Sequence, residues 1–114
     1  MKSPVDKEAF SVFIEENKIF ELAREYLRKY LESWYEDDPE YFVEDIGADF
    51  ETVMQTYRFE NAMVSLNKNF NFEPAMDTIS CKITIYDAED DYFTTYKVIF
   101  DYELDVIDDM MFRH

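Results

Sequence analysis

The feature that most constrains the fold is a pair of segments near the C-terminus in which residue types alternate. In the first segment one parity carries Ile79, Cys81, Ile83 and Ile85. In the second segment one parity carries Tyr92, Thr94, Tyr96, Val98, Phe100, Tyr102 and Leu104. Alternation with a period of two is typical of a strand with one face on a core. Residues 87–91, between the segments, are polar and predict a turn. The sequence therefore predicts a long antiparallel β-hairpin, with Tyr92, Tyr96 and Phe100 packed against helices.

The first third of the chain has helical periodicity. Ser3 followed by Pro4 predicts a helix start, because serine caps free N–H groups and proline fits the first turn. The rhythm weakens at residues 15–18, where the helix bends or gives way to a second one. From Ile19 to Trp34 the helical spacing of apolar residues is strong. We therefore expect one or two N-terminal helices.

The middle of the chain is less regular. Residues 38–45 begin with Asp-Pro and predict a short helix, and Gly47 follows where a C-terminal cap prefers glycine. Residues 48–60 fit either helix or strand. From residue 62 alternation favours a strand. The last residues, 106–114, read as a tail or a final helical turn.

These elements predict an α+β fold and a single domain over residues 1–114. N-terminal helices pack on an antiparallel sheet of three to five strands that ends in a long C-terminal β-hairpin. The residues expected to be buried are Val5, Phe13, Phe20, Leu27, Trp34, Ile83, Val98 and Phe100.

The chain is strongly acidic, and the charge is unevenly spread. Its formal net charge is −16 at pH 7. Residues 1–35 hold 6 Lys/Arg and 7 Asp/Glu. Residues 36–60 hold 1 Lys/Arg and 9 Asp/Glu, and residues 61–114 hold 4 Lys/Arg and 11 Asp/Glu. Such a charge repels nucleic acids and anionic membranes and attracts basic partners. Acidity that served solubility alone would be spread more evenly, so the asymmetry favours a binding role.

Few groups suited to catalysis or metal binding are present. The single histidine is His114, at the end of the chain, and the single cysteine, Cys81, lies among alternating isoleucines as a core residue would. Ser-His-Asp or Cys-His catalysis and a zinc site are therefore not expected. The acidic residues 87–91 lack the ligand spacing and central glycine of a calcium loop. We expect neither enzymatic activity nor a cofactor.

We interpret the chain as a small acidic protein-binding domain, an inhibitor or immunity-type protein. It would engage a basic, nucleic-acid-binding surface of a partner protein such as a nuclease. Immunity proteins that neutralise nuclease toxins resemble the chain in size, charge and ring content. The predicted partner-binding residues are Asp87, Glu89, Asp90, Asp91, Phe93, Asp101 and Glu103, with a second patch at Glu36, Asp37, Asp38 and Glu40.

Phe93 has a particular place in this hypothesis. By parity it shares the outer face of the hairpin with Ile99, among Lys97, Asp101 and Glu103. The parity predicts an apolar patch rimmed by acid, as an interface would be.

Two alternatives stay open. Helices on a curved antiparallel sheet resemble the cystatin-like cone folds, some of which hold a small apolar ligand between helix and sheet. A self-associating structural module is the other alternative, in which an open strand edge or the Phe93 face forms a homodimer. We expect no direct binding of nucleic acid or membranes. A lone cysteine and the lack of a signal-like apolar run at the start predict a cytoplasmic location.

Overall fold

The computed structural model describes residues 6–112, which form four helices and four strands. The helices are α1 (Lys7–Glu16), α2 (Ile19–Asp37), α3 (Pro39–Ile46) and α4 (Phe50–Thr56). The strands are β1 (Arg58–Asn69), β2 (Met76–Tyr86), β3 (Tyr92–Phe100) and β4 (Val106–Phe112). The strands pair antiparallel in the order β1-β2-β3-β4, and the helices pack against the sheet. The predicted α+β class is confirmed.

The predicted break between the first two helices is present. Asp6 caps α1, because its Oδ1 accepts hydrogen bonds from the backbone N–H groups two and three residues later, at 2.9 and 3.1 Å. The predicted cap at Ser3 and Pro4 lies outside the described residues. α1 ends before Lys18, which adopts a φ of 49° and separates it from α2. The weakened rhythm at residues 15–18 therefore marks two helices and not a bend.

α2 supplies the helical side of the core. Its buried residues are Ile19, Ala23, Leu27 and Leu31. They recur every four positions and so lie along one stripe of the helix. The exposed Arg24 ties α2 to β1, since its Nη2 donates to the carbonyl oxygen of Phe59 (3.0 Å) and to Oδ1 of Asn61 (2.7 Å).

The two short helices are bounded by capping residues. The side chain of Asp38 accepts a hydrogen bond from the backbone three residues later at 3.1 Å, and Asp49 does the same for α4 at 2.8 Å. Gly47 ends α3 with a φ of 104°, a conformation that other residues rarely adopt. Both predicted ends of α3 are confirmed. The ambiguous residues 48–60 divide into α4 and the start of β1.

The central strands carry the sheet side of the core, as the alternation predicts. In register, the β2 residues Ile79, Cys81, Ile83 and Ile85 pair with Phe100, Val98, Tyr96 and Thr94 of β3, and all eight are buried. Tyr92 and Tyr102, which share the predicted packed parity, are instead 43% and 55% exposed. Tyr92 is the first residue of β3 and Tyr102 lies in the turn after it, so both are at the margins of the packed face, and the predicted burial of Tyr92 is wrong.

The residues predicted for the core divide into two groups. The buried ones are Leu27, Ile83, Val98 and Phe100. Those only partly buried at the margin of the core are Phe13, Phe20 and Trp34. Val5 lies outside the described residues.

The C-terminal segment forms a strand, so the predicted tail or helical turn is wrong. β4 pairs with β3 from Phe100 to Thr95. Two side chains of β3 reinforce the pairing: the Thr94 hydroxyl donates to the carbonyl oxygen of Phe112, and the Tyr96 hydroxyl donates to Oδ2 of Asp109 at 2.8 Å. The adjacent aspartates and methionines of "VIDDMMF" break the alternation that identifies a strand.

The turns on either side of β3 have the same construction. Residues 87–91 and 101–105 both read D-x-E-x-D. In each turn Oδ1 of the first aspartate accepts hydrogen bonds from the backbone N–H groups two and four residues later, at 2.9 to 3.0 Å. The fourth residue, Asp90 or Leu104, has a φ of 66° or 68°. Asp101 and Glu103, expected on the face of the hairpin, therefore lie in a turn.

A β-bulge at Phe93 changes the face on which its ring lies. Tyr92 pairs with Tyr86 and Thr94 pairs with Ile85, so the register between β2 and β3 shifts by one residue at Phe93. Its ring packs against the core and lies 6.2 Å from the ring of Tyr57 in a T-shaped arrangement. The prediction that Phe93 lies on the outer face of the hairpin is wrong.

That outer face is centred on two lysines. Lys82 and Lys97 lie directly opposite each other on β2 and β3. Met63 of β1 and Met110 of β4 flank them in the same row. Like charges in this position repel each other. The face that was predicted to carry an apolar patch rimmed by acid is basic at its centre and does not favour a basic partner.

Candidate functional site

A groove lined by aromatic rings lies between the helices and the β4 edge of the sheet. We call it the ring groove. Its volume is about 240 Å³, and its lining residues are Tyr30, Trp34, Tyr41, Asp45, Phe93 and Met111. The rings of Trp34 and Tyr41 lie 6.0 Å apart with an interplanar angle of 47°. Tyr41 is 53% exposed, so the groove opens to solvent.

The break between α2 and α3 places these two rings side by side. Pro39 cannot continue α2, because it lacks the N–H and its ring clashes with the preceding turn. The chain therefore turns, and α3 brings Tyr41 back beside Trp34. The fully buried ring of Phe42 supports the corner, with centroids 5.1 Å from Trp34 and 5.2 Å from Tyr35. The ring groove thus rests on the core.

Asp109 is held in one orientation next to these rings. Its Oδ2 accepts the hydrogen bond from the Tyr96 hydroxyl. Burial, and then this hydrogen bond and the charge of Asp109, raise the pKa of Tyr96. Burial and the same charge raise the pKa of Tyr30. Both phenols therefore keep their protons at neutral pH, and the carboxylate of Asp109 provides a negative charge beside them.

A second groove of about 470 Å³ continues from the ring groove along α2. Its lining residues are Tyr26, Lys29, Tyr30, Ser33, Trp34, Asp37 and Asp109. Tyr30 and Trp34 belong to both grooves, so the carboxylates of Asp37, Asp45 and Asp109 all border the same pair of rings. Lys29 is the cation of this groove, and its Nζ lies 5.1 Å from the centre of the Tyr26 ring.

The predicted patch at the end of α2 lies next to these grooves. Asp37 lines the second groove, and Glu36, Asp38 and Glu40 are exposed around it. The carboxylate of Asp38 is engaged in capping α3. The sequence prediction named these acids but not the rings of Tyr30, Trp34 and Tyr41.

The predicted patch between β2 and β3 is partly occupied by its own contacts. Asp87 closes the turn through its side chain. Asp90 accepts a hydrogen bond from Nε of Arg58 at 2.8 Å, and the guanidinium of Arg58 lies 4.0 Å from the centre of the Tyr86 ring. Glu89 and Asp91 are exposed. Of the four predicted acids, these two are the most open to a partner.

The turn and the ring groove lie on one side of the molecule. Phe93 follows this turn by two residues and lines the ring groove, and its ring lies 6.2 Å from that of Tyr57. Burial, and then the charges of Asp87 and Glu89 in the turn, raise the pKa of Tyr57. The Tyr57 hydroxyl donates to the carbonyl oxygen of Ile46, the last residue of α3, at 2.6 Å. α3 is about 12 Å long and runs from there back to the ring groove. We call this stretch, from residues 36–40 along α3 to residues 87–91, the acidic ridge.

Asp101 and Glu103 do not belong to the acidic ridge. They follow the other end of β3, and a strand of nine residues is about 30 Å long. The structure therefore brings Phe93, Asp37 and the turn at residues 87–91 to one side, and places Asp101 and Glu103 at the opposite end of the sheet.

The acids of this chain outnumber its lysines and arginines. Between described residues, the salt bridges join Arg58 to Glu60 and Asp90, and Lys68 to Asp77. The chain holds 27 Asp and Glu. Because salt screens repulsion between exposed charges beyond about 10 Å at 0.1 M, we expect a higher melting temperature at pH 8 in about 0.15 M NaCl than in about 0.01 M. Thermal scans by circular dichroism measure it, and a flat or falling trend contradicts net repulsion.

The described residues form no cluster of metal ligands, and their cysteine is buried. Within residues 6–112 no three His, Cys, Asp or Glu side chains are placed to hold a metal ion. Cys81 is fully buried, and burial raises its pKa to about 12, so the thiol keeps its proton. His114 lies outside the described residues. In the described part of the chain, no helix is long and apolar enough to cross a membrane.

A third groove, of about 380 Å³, lies at the end of the sheet where β3 finishes. We call it the apolar groove, and its lining residues are Asp6, Ala9, Phe10, Phe13, Leu66, Ile79 and Tyr102. α1 forms one wall and has no buried residue of its own. The rings of Phe10 and Phe13 therefore remain partly open to whatever enters the groove.

The molecule thus presents two different surfaces: rings with carboxylates at one end of β3 and an apolar groove at the other. No protein-family model, curated protein or solved structure matches the chain.

Proposed function

We propose that the chain is a small acidic protein-binding domain, an inhibitor or immunity-type protein that takes a basic segment of its partner into the ring groove and the second groove that continues from it. The observation that carries this proposal is the position of Asp37, Asp45 and Asp109 around the rings of Tyr30 and Trp34. A partner that binds nucleic acid, such as a nuclease, presents the lysines and arginines that this surface suits, because phosphates require them.

The chemistry of the ring groove favours a guanidinium or ammonium group. A cation over the face of Trp or Tyr gains about 0.5–2 kcal/mol, depending on how far it is desolvated. A carboxylate beside it adds a charge-assisted hydrogen bond. The chain already holds one of its own cations in this way, since Arg58 lies over Tyr86 and binds Asp90. A partner's arginine would find the same pair of groups at Trp34 and Asp37.

The acidic ridge supports the proposal through the rate of association. Glu89 and Asp91 at one end and Glu36 and Glu40 at the other are exposed. With a net charge of −16 behind them, they attract a basic surface before contact is made. Carboxylates held on the rigid core then occupy a cleft meant for phosphates without losing much conformational entropy.

The test compares two variants that lose the same charge. The groove variant carries Asp37→Asn and Asp45→Asn, and the control variant carries Glu51→Gln and Glu73→Gln, two exposed acids outside the grooves. A labelled arginine-rich peptide serves as the probe, and fluorescence anisotropy gives its dissociation constant in low and moderate salt.

We expect the groove variant to bind about tenfold more weakly or worse, because close charge pairs at interfaces contribute well over 1 kcal/mol. The control should change less than about threefold, since distant charges are screened. Equal losses in the two variants would mean that the peptide follows net charge alone, and the ring groove would then not be the binding site.

A further inference from the structure

Two exposed phenylalanines at the tip of the β1–β2 hairpin have no role in the surface described above. Phe70 is 78% exposed and Phe72 is 42% exposed. They lie in residues 70–75, which connect the two longest strands of the sheet. A ring as open as Phe70 costs free energy in water, so the protein gains free energy when such a ring is covered.

The apolar groove lies at the same end of the molecule as these rings. Leu66 of β1 and Ile79 of β2 line the groove and pair with each other three or four residues from the hairpin tip. Tyr102, in the turn after β3, forms another side and is 55% exposed. Phe70 does not line the groove of its own chain. A projecting ring and an apolar groove that residues 6–112 leave open therefore lie about 13 Å apart along β1.

We propose that this end of the molecule is a self-association surface, on which Phe70 and Phe72 of one copy enter the apolar groove of a second copy. A second copy fits this end better than an unrelated partner does, because one chain presents both halves of the contact there. A two-fold axis at that end lets each copy insert its rings and receive those of the other, which closes the assembly as a dimer. The inference is independent of the proposed function, because the ring groove lies at the opposite end of β3.

Size and charge set the strength of this dimer. Phe70 and Phe72 are 78% and 42% exposed, so the four rings of a dimer can bury about 400–600 Å² in total. Together with the groove walls that they cover, the contact falls at the low end of specific interfaces. The association is therefore weak and concentration-dependent. Asp101, Glu103 and Asp105 lie in the turn that carries Tyr102, so two copies bring like charges together. Salt should strengthen the dimer, whereas it should weaken the binding of a basic segment in the ring groove.

Two variants remove one half of the contact each. Phe70→Ser removes the projecting ring, and Ala9→Trp fills the groove from an exposed position on α1. Both positions are exposed, so neither change empties the core. Val43→Ser, at a 40% exposed position on α3, is the control for loss of an exposed apolar side chain.

Sedimentation velocity on the full chain, from about 10 μM to about 1 mM, measures the mass. We expect the wild type and Val43→Ser to rise from 13.8 kDa towards twice that mass, more steeply at about 0.3 M than at about 0.02 M NaCl. The Phe70→Ser variant and the Ala9→Trp variant should each stay monomeric when measured separately. Mixed together they should recover part of the association, because Phe70 of the Ala9→Trp chain can enter the intact groove of the Phe70→Ser chain.

Three results would overturn the inference. One is a wild type that stays monomeric at about 1 mM in moderate salt. Another is a Phe70→Ser variant that dimerises as well as the wild type. The third is equal affinity of an apolar dye for the apolar groove of the wild type and of the Phe70→Ser variant while the wild type remains monomeric. That result would assign the groove to a small apolar ligand.

Discussion

Leu27→Ala is expected to lower the free energy of unfolding by about 2–5 kcal/mol. Leu27 is 2% exposed and lies in the middle of the buried stripe of α2, between Ala23 and Leu31. Shortening its side chain removes apolar contacts and leaves a cavity that the facing strands β2 and β3 can fill only in part. Urea denaturation followed by circular dichroism measures the loss as a lower midpoint at an unchanged slope.

Val43→Ala on α3 is the matched control. Val43 is 40% exposed, so its truncation should change stability by no more than about 0.5 kcal/mol. A loss below about 1 kcal/mol for Leu27→Ala would contradict the packing of α2 on the sheet, on which the position of every groove depends.

Tyr41→Ala is expected to weaken the binding of an arginine-rich peptide by about 2 kcal/mol, which is about thirtyfold. Aromatic anchors at the centre of an interface commonly have effects of this size. The ring of Tyr41 lies 6.0 Å from that of Trp34 and is 53% exposed in the free protein. It can therefore contact a partner without first leaving the core.

Tyr41→Phe distinguishes the contribution of the ring from that of its hydroxyl. Phenylalanine keeps the face over which a cation binds, so this variant should bind within about threefold of the wild type. Both variants should melt close to the wild-type temperature. If Tyr41→Ala binds the peptide as tightly as the wild type, the rings of the groove do not contact the basic segment.

The parts of the fold that the sequence predicts well are those with an unbroken period. The stripe from Ile19 to Leu31 and the alternation from Ile79 to Ile85 each bury one face on a single core, and both are found as expected. Caps with a specific chemical role, such as Asp38 and Gly47, are also local and therefore predictable.

β4 shows where local pattern fails. Its residues alternate poorly, and it is a strand because β3 offers an open edge for pairing. A signal for it was present in the sequence. The same D-x-E-x-D pattern occurs at residues 87–91, which were predicted as a turn, and at residues 101–105. Reading the second copy as a turn as well would have predicted a further strand.

The candidate site could be predicted only in part. Charge asymmetry located the acids at residues 36–40 and 87–91, since charge is a property of sequence. The rings of Tyr30 and Trp34 are one turn apart on α2, but their meeting with Tyr41 depends on how α3 packs. The alternation of the sequence predicts the wrong face for Phe93, because a β-bulge shifts the parity by one residue.

The emission of Trp34 is the measurement that tests the proposed binding site most directly. The chain has one tryptophan, and it lies where the ring groove and the second groove meet. Titration with an unlabelled arginine-rich peptide should give a saturable change in emission with the dissociation constant found by anisotropy. Moderate salt should weaken the binding of the peptide. The variant that carries Asp37→Asn and Asp45→Asn should lose most of the change in emission. Tight binding of the peptide with no change in Trp34 emission would contradict the ring groove as the site.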